Sequence, residues 1–174
     1  MRLLFDMDKK DYDPDGTKFF RPSVRGIILR GGKLALVHSL KYDYYKFPGG
    51  GIDDGETHTA TLVREVREET GLNVIPESVK EYGYVYRAQK GKTEDIFVQE
   101  NFYYFCEVSD VRSDTSLDGY EAEEQFTLEF AAPRYAAEVN RTHDHGEKDG
   151  NERFAVMNER DTRVLEMLAD ELGL

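Results

Sequence analysis

Tryptophan is absent from this 174-residue chain, cysteine occurs once and proline five times. One cysteine cannot close an internal disulfide or supply a thiolate zinc site, so neither device is available to hold the fold. No apolar run approaches the ~20 residues that a membrane-spanning helix needs. The start, MRLLFDMDKKDYD, is acidic and lacks the basic-then-apolar order of a signal peptide. The chain is therefore expected in the cytoplasm, with no membrane partner. Basic residues are also in deficit: 23 Lys and Arg against 35 Asp and Glu give a formal net charge of −12. That balance argues against a broad nucleic-acid or anionic-lipid surface, and no nucleic-acid partner is expected. It still allows a small anionic substrate, because a bound cation can invert the local field. The length suits one domain, 1–174, with a substantial core.

The negative charge is concentrated. GGGIDDGETHTATLVREVREETGL, residues 49–72, holds six carboxylates, five glycines and two arginines. At about 100° per helical residue, Glu68 lies roughly 60° to one side of Glu65 and Glu69 roughly 40° to the other, so all three share one face. Leu62, Val66, Thr59, Thr70 and Val63 form a second stripe that can pack on a sheet. Thr57 is placed to cap this helix and Gly71 to end it. Clustered like charges cost a helix a few tenths of a kcal/mol per pair, about what a good pair gains, and a hard divalent cation would offset that. Mg²⁺ fits because it takes oxygen ligands and prefers one or two carboxylates plus phosphates to a closed protein cage. Gly49, Gly50 and Gly51 let the backbone approach an ion or ligand closely. Arg64, four residues before Glu68, is placed to pair with that carboxylate. An amphipathic surface helix with a solvated acidic face is the plainer alternative, but it leaves the glycine run and the placement of Arg64 and Gly71 unexplained.

From Gly50 the chain reads Gly, five residues, Glu56, seven residues, Arg64-Glu65-Val66, one residue, Glu68-Glu69, one residue, Gly71-Leu72. This resembles the box of the Nudix (MutT-like) hydrolases with no position missing. The resemblance implies an α/β fold, a Nudix-type α/β/α sandwich with a mixed central sheet and a catalytic loop-helix-loop. It implies hydrolysis of a phosphoanhydride in a nucleoside diphosphate linked to another group, such as a nucleoside triphosphate or a nucleotide sugar. It also implies Mg²⁺, with Mn²⁺ as a substitute. Glu68 and Glu69 would be the main metal ligands, Glu65 a further ligand or the base, and Glu56 and the Gly50 carbonyl outer contributors, with Arg64 in the catalytic set. Family members also draw a base or ligand from a later loop, for which GYEAEEQ offers Glu121, Glu123 and Glu124 as substrate-side residues. A non-catalytic nucleotide sensor is the alternative function. A homodimer is compatible with the sequence. At the position where ADP-ribose hydrolases of the family carry proline, this chain has Arg87.

Elsewhere the pattern is α/β. Residues 1–22 are expected as an N-terminal extension. Ser23–Leu29 and Lys33–Ser39 are expected as a hairpin around Gly31-Gly32. VKEYGYVYRAQ is expected as a strand with Tyr82, Tyr84 and Tyr86 on one face, followed by KGKTE as a turn and DIFVQENFYYFCEV as a second long strand containing a buried Cys106. QFTLEF is a shorter strand. A final helix is expected over 158–174, with Asp161 in its first turn and Val164, Leu165, Leu168 and Leu172 buried. His143 and His145 fall in a polar loop, and Tyr44, Tyr45 and Phe47 suit either a base pocket or the core.

Overall fold

A computed structural model describes residues 1–174. Its strands and helices, in chain order, are β1 (Leu3–Asp8), β2 (Lys18–Phe20), β3 (Ser23–Ile27), β4 (Leu29–Arg30), β5 (Lys33–Ser39), β6 (Tyr44–Lys46), α1 (His58–Thr70), β7 (Leu72–Val74), β8 (Lys80–Lys90), β9 (Ile96–Phe105), β10 (Val108–Arg112), α2 (Gly119–Glu123), β11 (Phe126–Ala131), α3 (Pro133–Thr142) and α4 (Glu152–Leu172). The antiparallel hairpin β8–β9, joined through residues 91–95, forms the centre of a mixed sheet. On its flanks β1 runs parallel to β8, and β2 and β3 run parallel to successive parts of β9. A second, antiparallel sheet has β5 at its centre, with β11 on one side and β4 and β6 on the other. β7 and β10 form a small third sheet. Residues 1–22 thus carry two strands of the mixed sheet.

Two apolar clusters lie on opposite faces of these sheets. The larger joins Val164, Leu165 and Leu168 of α4 and Ala136, Ala137 and Val139 of α3 to Ile27, Leu36, Phe47, Val85 and Tyr103. The smaller joins Leu62 and Val66 of α1 to Val24, Ile28, Ala35, Tyr104 and Cys106. The layering is helix, sheet, helix, and no helix is long and apolar enough to cross a membrane.

Helix α1 forms where its caps place it. Thr57 accepts a bond from Ala60 N at 3.2 Å, and Gly71 closes the helix at φ 69° with its N–H on Arg67 O. Leu62, Val66 and Thr70 are buried, and Thr59 and Val63 are half-buried. The Ser23–Ser39 hairpin forms only at its turn. Leu29 and Arg30 pair with Leu34 and Lys33, but Ser23–Ile27 leaves to pair with β9 in the other sheet. The three tyrosines of β8 do not share a face. A bulge between Glu81 and Gly83 flips the alternation, so Tyr82 joins Val85 in the larger core while Tyr84 stacks toward Phe102 on the other side. A Cβ on Gly83 would collide with Leu4 and with Arg2 O, so glycine here lets β1 dock.

Helix α4 begins six residues earlier than expected, because Asn151 caps it by accepting from Phe154 N at 3.1 Å. Asp161 is consequently mid-helix and buried rather than in the first turn, and Leu172 is 40% exposed in the last turn, just before the Gly173 cap. Tyr44, Tyr45 and Phe47 are all core residues.

Candidate active site

Strand β6 delivers the chain into Pro48-Gly49-Gly50, which is fastened to β3: Val24 N–H donates to Gly50 O at 3.0 Å and Gly26 N–H to Pro48 O at 2.8 Å. Gly49 has φ 139°, and a Cβ there would run into Val24 O. At Gly50 the space a Cβ would take is filled by the Glu65 carboxylate. Glu69 reaches the same turn from α1, where its Oε2 accepts Gly49 N–H at 2.8 Å. Two carboxylates on one helix face therefore flank two consecutive glycines, which larger residues would not permit. One lone pair of the Gly50 carbonyl is already spent on Val24.

Arg64 organises the acidic edge, though not through the expected partner. Its main contact is a two-point bridge to Glu56, Nε to Oε1 at 2.9 Å and Nη2 to Oε2 at 2.8 Å. Nη1 donates to Glu65 Oε1 at 2.6 Å and only weakly to Glu68 Oε2, at 3.4 Å. Glu56 also accepts from Thr61 Oγ1 at 2.7 Å. Its hydrogen bonds from Arg64, then Thr61, hold its carboxyl down at about 2. Glu56 is thus committed to Arg64 and stands behind the edge. Glu65 behaves oppositely: burial raises its proton affinity above the usual carboxylate value, against the pull of Arg64 and, at longer range, Arg25. Glu68 is the most open of the three helix carboxylates, with 30% of its side chain exposed.

The three glutamates of the late loop separate. They lie on or just after α2, a single turn capped reciprocally by Asp118 and Glu121. Glu121 is buried; its carboxyl is raised chiefly by that burial, and it also feels the charges of Glu69 and Lys46. Glu123 is at the surface with Lys41 at 3.0 Å. Glu124 is buried with its carboxylate taken by Tyr44 OH at 2.6 Å and Lys148 Nζ.

Lys46, which sequence reasoning did not single out, enters this cluster from β6. Its Nζ lies 2.6 Å from Glu69 Oε1 with 12% of the side chain exposed. The signal was present: a lysine two residues before Pro48, on a strand otherwise packed into the core. His145 is buried, its ring bonded to Tyr42 O and Asn140 O, and it plays a packing role.

The donors at this edge are carboxylate and backbone oxygens, the set that a hard divalent cation takes. No three His, Cys, Asp or Glu side chains are arranged to enclose an ion by themselves. The expected three-carboxylate grip is thus not preassembled, since Glu69 is turned to Gly49 and Lys46. What remains fits an open Mg²⁺ site of one or two carboxylates completed by water and phosphate, not a closed cage.

The family model of the NUDIX domain matches residues 19–146. Over 72 residues the chain is 40% identical to an RNA pyrophosphohydrolase of Xanthomonas campestris pv. campestris (strain B100), covering 41% of this chain and 33% of that protein. A second RNA pyrophosphohydrolase, from Stenotrophomonas maltophilia (strain K279a), is 38% identical over 72 residues, covering 41% and 32%. The chain thus aligns with about a third of the length of these relatives. A NUDIX hydrolase from Nitrosomonas europaea superposes with TM-score 0.51 and 20% identity, covering 72% of this chain and 80% of that one. A MutT NUDIX hydrolase from Burkholderia pseudomallei gives 0.50 and 15%, covering 67% and 85%. At such identities these two likenesses concern the fold.

Proposed function

The chain belongs to the NUDIX family, and from that premise we propose that it is a divalent-cation-dependent hydrolase cleaving the phosphoanhydride bond of a nucleoside diphosphate linked to a further group. The observation that carries this reading is the pairing of α1 with the glycine turn, where Glu65 fills the space over Gly50 and Glu69 takes the Gly49 N–H. The whole chain is taken as one working unit, with Mg²⁺ as the cofactor and Mn²⁺ as its substitute.

When bound, the cation would neutralise phosphate oxygens and acidify a water, the chemistry such ions supply in phosphoryl transfer. Glu68 and Glu69 are the residues assigned to hold it. Arg64, anchored on Glu56, fixes the rotamer of Glu65 and bounds the position of Glu68. Glu65 and Glu121, the two carboxyls whose proton affinity is raised, are suited to accept the proton of the attacking water at a carboxylate oxygen. Separate pH profiles of E65Q and E121Q assign the role: the variant that loses the acidic limb of kcat had carried the base.

The deciding experiment is a panel of nucleoside triphosphates and nucleotide sugars incubated with Mg²⁺, with products identified by mass and E68Q as control. Release of nucleoside monophosphate with pyrophosphate, or of the two phosphoryl halves of a sugar nucleotide, is expected. A panel without turnover beside a measurable Kd would favour a nucleotide sensor. The names of the two aligned bacterial relatives favour a second reading, removal of pyrophosphate from RNA 5′ ends. A 5′-triphosphorylated oligonucleotide in the same panel tests it against the net charge of −12.

A further inference from the structure

Glu69 is 2% exposed, and each of its carboxylate oxygens is already held: Oε2 by Gly49 N–H at 2.8 Å and Oε1 by Lys46 Nζ at 2.6 Å. Lys46 is fixed in turn. It sits on β6, whose backbone is paired with β5 at Val37, and its ammonium lies 4.4 Å from the centre of the Phe126 ring. The raised carboxyl of Glu121 also feels the charges of Glu69 and Lys46. The lysine therefore neutralises a buried acid that would otherwise carry an uncompensated charge.

We infer that Lys46 is a resident counter-cation for Glu69, and that it sets how tightly the neighbouring site takes a divalent cation by competing for the same carboxylate. The inference rests on the hydrolase reading for its premise and adds a residue that the box does not contain. Two cations sharing one carboxylate are negatively coupled, since each lowers the charge the other sees. This accounts for the geometry on α1: the carboxylates of the acidic edge are not gathered around a point, because one of them is already neutralised inside the protein. Lys46 is accordingly a positioning residue. It keeps Glu69 folded against Gly49 while no ion is bound, and it weakens uptake of the ion.

The test measures Mn²⁺ affinity directly, by electron paramagnetic resonance of free Mn²⁺, on folded wild type, K46M and K46R. K46M is expected to bind about tenfold more tightly, a typical coupling between two sites, and K46R to stay near wild type. K46M binding no more tightly than wild type would overturn the role of Lys46 while leaving the hydrolase reading intact. Wild type that takes up no Mn²⁺ would remove the premise of both. Because K46M leaves Glu69 without its counter-charge, a second measurement reads wild type directly. The Lys46 side-chain ¹⁵N resonance, assigned by its loss in K46R, should move on titration with Mg²⁺. A resonance unchanged at saturation would overturn the inference.

Discussion

Glu69 and Asp161 are both buried, yet their surroundings are opposites. Asp161 belongs to a closed network: Oδ1 accepts from Tyr103 OH and Arg160 Nε, each at 2.8 Å, and Oδ2 from Phe47 N at 3.3 Å. Arg160 passes a second bond to Asn101 Oδ1 at 2.7 Å, which also takes Ser23 Oγ at 2.8 Å. One acid meets one base and both are satisfied. Around Glu69 the acids outnumber the bases, with Glu56, Glu65, Glu68 and Glu121 gathered near Arg64 and Lys46. The closed network also lies partly outside the family match, since α4 begins after residue 146. A satisfied pair clamps the second helical layer onto the sheet, whereas the over-acidic edge keeps charge in reserve for a cation. Stability and activity should therefore separate between the two regions.

The largest effects test that separation directly. E68Q removes a partly exposed carboxylate whose one side-chain partner is the 3.4 Å contact with Arg64. It should lower kcat/KM by about a thousandfold, the scale of removing one preorganised charge stabiliser. Its unfolding free energy should stay within about 0.5 kcal/mol of wild type. D161N should do the reverse. Weakening one partner of a buried pair leaves Arg160 uncompensated and should cost about 3 kcal/mol in urea unfolding, with kcat of the folded fraction little changed. An E68Q protein as unstable as D161N would erase the distinction.

A finer cut runs through the late loop. E121Q should reduce kcat/KM by roughly tenfold or more, as loss of a supporting residue beside a metal site does. E124Q should leave kcat near wild type and cost about 1–3 kcal/mol, because Tyr44 OH and Lys148 would face a weaker or missing acceptor. E123Q, at the surface, should change neither. Equal activity losses for all three would mean that the separation of this loop into one site residue and two structural ones is wrong.

Arg64 carries the comparison into pH. Glu56 is held down at about 2, so its contribution to stability is present above the ordinary carboxylate value and is lost as pH falls from there toward 2. Glu65 is shifted the other way, and its contribution fades as pH rises through its elevated folded value. In R64A the acid limb due to Glu56 should flatten and the loss of stability with rising pH due to Glu65 should steepen, measured as Tm against pH between 2 and 7. A wild-type profile retained in R64A would show that the guanidinium controls neither.

The legible and illegible parts of the sequence divide along a similar line. The caps Thr57 and Gly71, the buried stripe of α1 and the shared face of Glu65, Glu68 and Glu69 all follow from spacing within one helix, so local reasoning reached them. Local spacing pairs Ser23–Ile27 with the adjacent strand β5, but a partner some 80 residues away, β9, outcompetes it. The Tyr82–Tyr86 alternation fails at one bulge, at Gly83, where β1 packs too closely for a Cβ. Helical spacing pairs Arg64 with Glu68, whereas Glu56, outside the helix, offers it two-point geometry. Lys46 was missed because its partner lies 23 residues on and across a turn.

The smallest effect concerns the smaller core beneath α1. Cys106 packs there with Leu62 and Val66 and is 6% exposed, and burial pushes its thiol up to about 12. The reactive species is the thiolate, so at pH 8 only a minute fraction is available and access is blocked as well. Alkylation by iodoacetamide should therefore proceed only through opening of the layer that holds α1 against the sheet. If α1 is fixed by its core and not by its charged edge, E68Q and wild type should be labelled at the same rate, followed by mass spectrometry, while D161N is labelled faster because its global unfolding is more frequent. Faster labelling in E68Q would mean that the acidic edge helps to hold the helix down, and the division between a fastening region and a reactive one would have to be redrawn inside α1 itself.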